Sequence, residues 1–432
     1  MIIDDLLKDL KSRFSLIADP RKGDNTTIKL VDVFLNSFAI FSLKDESLNI
    51  YVKQFKQRLP NLKKLFGIRR CPSDTALREI LDEVPPESLQ SLSVQYIDLL
   101  LAEGHTDCFE LNAVNLKKHF YVPIDGTTYF SSKGVCCESC QTKNHKNGTV
   151  THSHSALVAV LAHPNLAQVL PIASEDIRVQ DGSTKNDHEL CAAKRLLPLI
   201  KQALGSHKAL IGGDGLFANA SFIRYVKSLG FNYLLTIKEG NQGYPFVQFR
   251  QLSKDKSTGS LTTSDKKYSY YYEFANQLIL NGDSQDIKIN FVHFKQTNNK
   301  TGEVIIFDFI TDIPLCADNI QEIVKIGRSR WKIENETFNT LKNQGYQYDH
   351  NFGHGKKYLS QNFATLMLLA FLFDQIQEIL DPVFKKAHRM NKTKKLLWIR
   401  VRQIFDLIPC KSMEDIYKII TAELKIKVEI IV

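Results

Sequence analysis

The sequence lacks an apolar run long enough to cross a membrane. Its longest apolar stretch, residues 363–373, is too short to span a bilayer and predicts a buried helix. The first residues, MIIDDLLKDLKSRF, are acidic and amphipathic, with no basic segment followed by an apolar core, so they do not resemble a signal peptide. These absences predict a cytoplasmic protein that makes no membrane contact.

Cysteine is also scarce, with 8 residues in a chain of 432. Without an export signal, this number predicts reduced thiols in the cytosol rather than a disulfide framework. No internal repeat and no low-complexity segment is present. Because 43% of the residues are hydrophobic, the chain can bury a large core, divided among two to four domains.

The charge is mildly basic, with 56 Lys and Arg against 47 Asp and Glu. Two segments carry most of the excess: residues 53–70 hold 7 basic residues and residues 385–402 hold 8, and neither contains an acid. Either segment alone is explained by a solvated helix face. Two such segments together favour a polyanionic partner.

The patterning predicts an α/β protein. Apolar spacing in the N-terminal part is helical, whereas strands and helices alternate around KALIGG, FANASFIRYVKSLG and FNYLLTIK, which implies some parallel strands. A stretch of alternating β-type runs then interrupts this unit, and helical patterns return after it. The predicted segments are a helical N-terminal region (1–105), an α/β core (106–240 and 319–380), an all-β insertion (241–318) and a basic helical tail (381–432).

Three acidic residues stand out. Asp125 ends the apolar run HFYVPID and Asp214 follows KALIGG, and each precedes a glycine that allows the backbone to turn. Glu334 lies in the helical pattern RSRWKIENETFNTLK. Two strand-end aspartates and a helical glutamate can meet in an α/β core, where they would hold two divalent metals for phosphoryl transfer.

Simpler explanations exist for each acid. An ideal helical wheel, at about 100° per residue, places Glu334 within an apolar stripe that includes Gly327 and Trp331. A carboxylate there must be compensated, and a salt bridge with Arg330 one turn away would do so. Strand-end aspartates beside glycine are often turn residues. Pro123 also argues against a central position for the first strand.

The blocks IDGT, GGDGLFAN and RWKIENETFNTLK resemble the three catalytic blocks of DDE transposases from bacterial insertion sequences, of the type called insertion sequence four. The resemblance covers roughly residues 70–380, and TIKEGNQG and DGSTKNDHEL are similar to stretches common in that family. It implies a ribonuclease-H-like core interrupted by the β-rich insertion. It also implies Asp125, Asp214 and Glu334 as ligands of Mg²⁺ or Mn²⁺, which prefer oxygen donors.

The same resemblance implies DNA cleavage and strand transfer. The partners would be the element's own ends and the target DNA, bound by a homodimer on the bacterial nucleoid. The family's helix signature is Tyr, two residues, Arg, three residues, Glu, six residues, Lys. Arg330 and Glu334 match it, Gly327 replaces the Tyr, and Lys342 comes one residue late. Arg330, Lys342 and the strand-end Lys238 are the predicted DNA contacts.

A second metal site is predicted in CCESCQTKNHKNGTVTHSH. Cys137 and Cys140 have the spacing that lets two thiolates chelate one ion, and His145 and His152 would complete a structural zinc site. The alternative is a loop with exposed histidines and reduced cysteines. Further along, His350 and His354 are predicted to lie on an ordinary polar loop.

Three other functions stay open at this point. A metal-dependent nuclease would use the same acids without strand transfer. A catalytically inactive DNA-binding protein descended from a transposase would explain Gly327 and the displaced Lys342. A zinc hydrolase would use the Cys/His segment for catalysis.

Overall fold

The computed structural model describes residues 3–22, 27–179 and 185–425, with the side chains of 185–188 left out of the description. Residues 181–184 of the DGSTKNDHEL stretch therefore lie outside the described residues, and so do the side chains of the next four residues. The fold is mixed α/β, as predicted, with a large mixed sheet and many helices.

Helices form the first hundred residues. Two of them begin at side-chain caps: Ser47 accepts a hydrogen bond from the Ile50 N–H, and Ser73 accepts one from the Ala76 N–H. Such caps satisfy amide groups that the helix itself leaves unpaired. The helices are α1 (Ile3–Leu16), α2 (Leu30–Ser42), α3 (Leu48–Leu65), α4 (Asp74–Asp82) and α5 (Glu87–Ala102).

The middle of the chain supplies the sheet. Its elements are β1 (Glu110–Leu111), β2 (His119–Ser132), β3 (Gln141–Asn144), β4 (Val150–Leu161), β5 (Leu170–Asp176), α6 (Lys185–Leu204), β6 (Lys208–Gly213), α7 (Ala220–Ser228), β7 (Asn232–Thr236), α8 (Gly243–Lys254), β8 (Gly259–Ser264), β9 (Tyr268–Ile279), β10 (Lys288–Asn298) and β11 (Val304–Thr311). Neighbouring strands follow the order β4-β2-β6-β7-β11-β10-β9-β8, and β5 pairs with β4. The β2–β6 and β6–β7 pairs are parallel, whereas β7 and β8 to β11 pair antiparallel.

The prediction of an all-β insertion at 241–318 is wrong at its start, because the segment opens with α8. The sequence GYPFVQFRQLSK buries Pro245, Phe246 and Phe249 on one face. The rings of Phe246 and Phe249 lie 5.0 and 4.5 Å from that of Phe291 in β10. Packing against the sheet therefore fixes a helix in a segment that had been assigned to strands.

The objection raised by Pro123 is also wrong, because β2 lies between β4 and β6 inside the sheet. Pro123 occupies the last paired position of the β2–β6 register, opposite Gly212. At the end of the ladder, the missing N–H of proline removes little pairing.

The chain forms two compact units. One contains Met1–Gln95, Thr127–Ala156 and Glu336–Val432, and the other contains Tyr96–Gly126 and Leu157–Asn335. Strands β2 and β4 contribute residues to both. We call these the helical unit and the sheet unit. The four-segment division of the sequence stays a prediction.

The C-terminal part is helical. Its α-helices are α9 (Ile320–Arg328), α10 (Asn339–Asn343), α11 (Leu359–Leu380), α12 (Pro382–Asn391), α13 (Lys394–Leu407) and α14 (Met413–Ile420). Within the described chain, α11 alone is long and apolar enough to cross a membrane, because the helix extends beyond both ends of the predicted apolar stretch 363–373. The prediction that no segment has this length is therefore wrong. The most apolar window of α11 is 89% buried inside the protein, as in a core helix, and rings of α2 such as Phe38 pack against it.

The start of α11 is held by Asp82 at the end of α4. The two Asp82 carboxylate oxygens accept hydrogen bonds from four successive amide groups, at 2.8–3.0 Å, in residues 356–359. The last two of these amides belong to the N-cap Tyr358 and to Leu359, the first helical residue, and a helix start leaves such amides without an internal partner. Asp82 thus fixes the loop that precedes α11.

The basic segment 53–70 is only partly a solvated face. Arg58 is buried and pairs with Asp45 at 2.6 Å and with Asp406 at 2.5 Å. It therefore joins α3 to α13 and is not available to a polyanion. Lys53, Lys56, Lys63 and Lys64 remain exposed.

Replacing Arg58 with alanine should destabilise the helical unit. The change leaves the buried Asp45 carboxylate without its cation, which typically costs about 3–5 kcal/mol. The measurement is the urea unfolding midpoint followed by far-UV circular dichroism. Lys56→Ala is the matched control, because Lys56 is exposed on the same helix. Equal midpoints for the two variants would contradict the structural role of Arg58.

Candidate functional site

Asp125 and Asp214 lie at one edge of the sheet unit. Pro123 of β2 and Gly212 of β6 are register partners in a parallel pair, and each aspartate comes two residues later. The Asp125 Oδ1 accepts a hydrogen bond from the Gly126 N–H at 2.9 Å, and the Asp214 Oδ1 accepts one from the Leu216 N–H at 2.9 Å. Because both aspartates follow the last paired position of this parallel register by the same number of residues, they are neighbours, and the charge of Asp214 acts on Asp125.

Arg330 links Asp125 to Glu334. Its Nη1 lies 3.0 Å from the Asp125 Oδ2, and its Nη2 lies 2.9 Å from the Glu334 Oε1. The simple ion pair between Arg330 and Glu334 is therefore present. The same guanidinium also binds Asp125, so Asp125 and Glu334 are separated by one side chain. The prediction that Asp125 ends its strand is wrong, because β2 continues through Gly126 to Ser132.

The segment that carries these two residues is not a continuous α-helix. After α9 it tightens into a 3-10 turn at Ser329–Trp331 and then widens into a π-helical turn at Ile333–Phe338. The constant angle of about 100° per residue that the ideal wheel assumes does not hold in this segment. Trp331, which the wheel placed on the apolar stripe, is 48% exposed. π-helical turns occur frequently at functional sites.

The charges of the site act on one another. The pKa of Asp125 is raised to about 6, mainly by burial and also by the negative charges of Glu334 and Asp214. The Arg330 guanidinium and the Gly126 N–H act in the opposite direction. The three carboxylates thus form a region with an excess of negative charge, which Arg330 compensates in part.

A cleft of about 750 Å³ in the sheet unit is lined by one of the three acids, Asp214. The predicted DNA contacts Lys238 and Arg330 both line it, together with Asp214, Arg328, Phe307 and Trp331. Lys238 is exposed, so its ammonium group is available to an anion. The third predicted contact, Lys342, lies in α10 and belongs to the helical unit.

Packing explains why residue 327 is a glycine. A Cβ atom at this position would lie 2.7 Å from the ring of Phe309 in β11, closer than any real Cβ contact. The glycine therefore lets α9 approach the sheet. The tyrosine of the family signature does not fit here, and this departure from the signature follows from local packing.

Gly327→Ala should destabilise the protein by about 1–3 kcal/mol, because the added methyl group overpacks a buried contact. The thermal unfolding midpoint measures the effect. Gly240→Ala is the control, since its Cβ would meet open space. If the clash with Phe309 is the cause, Phe309→Leu combined with Gly327→Ala should cost less than the sum of the single changes. Additive costs would contradict it.

The second metal cluster has a different composition from the predicted one. Cys137 and Cys140 come together as expected, with their Sγ atoms 3.8 Å apart. Their partners are His154 and His354, whose Nε2 atoms lie 3.2 Å from each other. The donor atoms of these four residues all lie within 4.8 Å of one another, so they could hold a metal ion. We call them the Cys/His cluster.

His145 and His152 do not belong to the cluster. The His145 Nε2 lies 2.8 Å from the Thr151 Oγ1, and the His152 Nδ1 lies 3.1 Å from the Thr142 Oγ1. Both thus engage neighbouring hydroxyls of the β3–β4 hairpin. The position along β4 explains why His154 and not His152 joins the cluster. Side chains two residues apart lie on the same face of a strand, and His154 lies farther along, where β4 becomes buried.

Burial sets the protonation of the cluster in the absence of a metal. It raises the pKa of the Cys140 thiol to about 11 and lowers the pKa of His154 to about 4. The charge of His354 adds to the lowering at His154. His154 is therefore neutral near pH 7, which is the form that binds metals.

His354 was missed from the sequence. It lies on a loop, as predicted, but the loop is buried at this point. Two glycines with positive φ, Gly353 at 148° and Gly355 at 71°, flank it and allow the sharp turn that presents the ring. The only local signal was this Gly-His-Gly pattern, since the partner His154 lies 200 residues away.

The carboxylates and the Cys/His cluster differ in compactness. Asp125, Asp214 and Glu334 are described residues, but they are not within 4.8 Å of one another as the Cys/His donors are. The wider spacing accommodates the guanidinium of Arg330.

Neither the models of known protein families nor the curated proteins contain a match to this chain.

Proposed function

We propose that the protein is a DDE transposase that cleaves and joins the DNA of an insertion sequence, with Asp125, Asp214 and Glu334 as its metal-binding acids. The observation that carries this proposal is the convergence on Arg330 and the β2–β6 edge. Two acids far apart in the chain bind one guanidinium, and a third follows the parallel neighbour of β2.

The topology supports a ribonuclease-H-like core. Strands β5, β4 and β2 are neighbours, and β6 and β7 continue the sheet in parallel with β2. Helices α6 and α7 connect β5 to β6 and β6 to β7. The strands β8 to β11 then lie in the chain between Asp214 and Glu334, where the resemblance expects an insertion.

The residues fit Mg²⁺ or Mn²⁺. They offer oxygen donors, which these hard cations prefer. The negative charges of Glu334 and Asp214 raise the pKa of Asp125, and a divalent cation would relieve this repulsion between carboxylates. When bound, two such ions supply activation of the attacking oxygen and stabilisation of the leaving oxygen.

The chain's own residues have three tasks in this proposal. Arg330 holds the Asp125 and Glu334 carboxylates in a shared orientation through one oxygen of each. Lys238 offers a positive charge to a DNA phosphate in the same cleft. The exposed aromatic side chain of Trp331 and its neighbour Phe307 line the approach.

The partners follow from this chemistry. Two element ends must be cut and joined together, so we propose a homodimer on DNA. The host compartment would be the bacterial cytoplasm, with the protein at the nucleoid when it is bound to DNA. Strand transfer rather than simple nuclease activity would appear as joined products.

A second candidate is an inactive DNA-binding descendant of a transposase. The observation that favours it is Arg330 itself, because its guanidinium already occupies oxygens of two of the three acids. In that case the ion pairs would be permanent and no cation would be needed for folding or binding.

Asp125→Asn and Asp214→Asn should each reduce Mn²⁺-dependent DNA cleavage by at least about 100-fold, because losing metal charge stabilisation costs several kcal/mol. The assay uses labelled duplexes that carry the element's terminal repeats, followed by sequencing of the products. DNA affinity should stay nearly unchanged. Asp255→Asn, at an exposed helix end, is the control.

The outcomes separate the candidates. Equal cleavage by the wild type and both variants would exclude catalysis by these acids. Tight DNA binding without any cleavage by the wild type would establish the inactive candidate. Cleaved but never joined ends would identify a nuclease.

The exposed part of the basic segments should make DNA binding steeply dependent on salt. Replacing Lys63 and Lys64 with glutamine should reduce the slope of log affinity against log salt by about one for each lysine that contacts a phosphate. Fluorescence anisotropy measures this slope. Replacement of Lys254 and Lys256 in the insertion serves as the control. A flat response in the wild type would mean that the segments are merely solvated helix faces.

A further inference from the structure

We propose that the Cys/His cluster is a closed, structural zinc site, formed by Cys137, Cys140, His154 and His354. All four residues belong to the helical unit. The proposal is independent of the transposase chemistry, because none of these residues is among the three acids.

The distances match the edges of a tetrahedron around zinc. With Zn–S near 2.3 Å and Zn–N near 2.05 Å, the edges are about 3.8 Å for S–S, about 3.5 Å for S–N and about 3.3 Å for N–N. Five of the six donor distances are 3.8 Å between the sulfurs, 3.3–3.4 Å for three sulfur–nitrogen pairs, and 3.2 Å between the nitrogens. The sixth distance, between Cys137 and His354, is no longer than 4.8 Å. The four donor atoms are therefore already positioned for a central ion.

Hydrogen bonding alone does not satisfy this arrangement. The His154 Nε2 lies within 3.4 Å of both sulfurs and of the His354 Nε2. A single imidazole nitrogen can make one hydrogen bond in its plane, so it cannot serve three neighbours at once. A cation at the centre satisfies all of them together.

The surroundings have the features of a metal site. The His354 Nδ1 lies 2.9 Å from the Gly355 carbonyl oxygen, which directs the Nε2 toward the cluster. The Cys137 N–H donates to the Cys140 Sγ at 3.4 Å, as in thiolate turns that bind metals. The rings of Tyr129 and Phe130 pack against His154 and His354 and exclude water.

The ligand set indicates zinc in a structural role. Two thiolates and two imidazoles suit this borderline-soft ion, and four protein ligands leave no open position for a substrate. The ion would join the β3–β4 hairpin to the loop before α11, which Asp82 holds from its other side. This closed geometry argues against the zinc hydrolase alternative.

Metal content tests the ligand set. The full-length protein, produced with zinc and purified without chelator, should contain about one zinc ion per chain by mass spectrometry. Cys140→Ser and His354→Asn should lose it. His145→Asn, His152→Asn and Cys136→Ser should keep it, since they alter nearby residues outside the cluster. Zinc loss in the His145 or His152 variant with retention in His354→Asn would overturn the assignment.

Cobalt substitution provides a test that does not depend on a destabilised variant. Wild-type protein loaded with Co²⁺ should show the intense visible bands of a tetrahedral site and thiolate charge transfer in the near ultraviolet. His354→Cys should keep the tetrahedral bands and increase the charge transfer, because it adds a third thiolate. The weak spectrum of an octahedral ion, or the absence of uptake, would overturn the proposal.

Chelation distinguishes the structural role. Removing the metal from the wild type should lower its thermal unfolding midpoint, because binding energy contributes to folding. An unchanged midpoint after proven metal removal would overturn that role. Asp125→Asn should retain full zinc content, so failure of the transposase proposal and failure of the zinc proposal give different results.

Discussion

The parallel pairing of β2 with β6 is the constraint on which the candidate active site depends. Its register places Asp125 and Asp214 at the same edge. The register of the pairing is fixed by the size of the side chains, because a Cβ on Gly212 would lie 2.3 Å from the Tyr121 hydroxyl. Tyr121 on one strand thus covers a glycine on the other, and a slip by one residue would remove this fit and turn the side chains to the opposite face.

Arg330 compensates the charge of the site. Its two ion pairs neutralise much of the charge on Asp125 and Glu334, which are both partly exposed. The guanidinium thus lies between the two carboxylates and reduces their mutual repulsion. In the proposed enzyme, a divalent cation would compete with the guanidinium for these carboxylates. The irregular helical segment that carries Arg330 and Glu334 gives both side chains their orientation.

Much of the fold and the position of the acids could be predicted from local sequence. The strand run before Asp214 and the alternation of strands with helices indicate a mixed α/β sheet without knowledge of tertiary contacts. The end predicted for the first strand at Asp125 is wrong, because pairing with neighbouring strands continues β2 to Ser132. Other features could not be predicted. The helix α8 depends on packing against Phe291, and the π-helical turn after Trp331 breaks an apparently regular pattern. The identity of the cluster histidines depends on His354, which meets His154 only through the folded chain.

The hydrogen bonds between Asp82 and the start of α11 have a consequence for folding during biosynthesis. The two partners are separated by 274 residues or more, and the helical unit is assembled from three distant stretches of the chain. The N-terminal helices leave the ribosome long before their main apolar partner is made. Their apolar faces stay without this partner until translation is nearly complete, and the helical unit can finish folding only once the final quarter of the chain has been made.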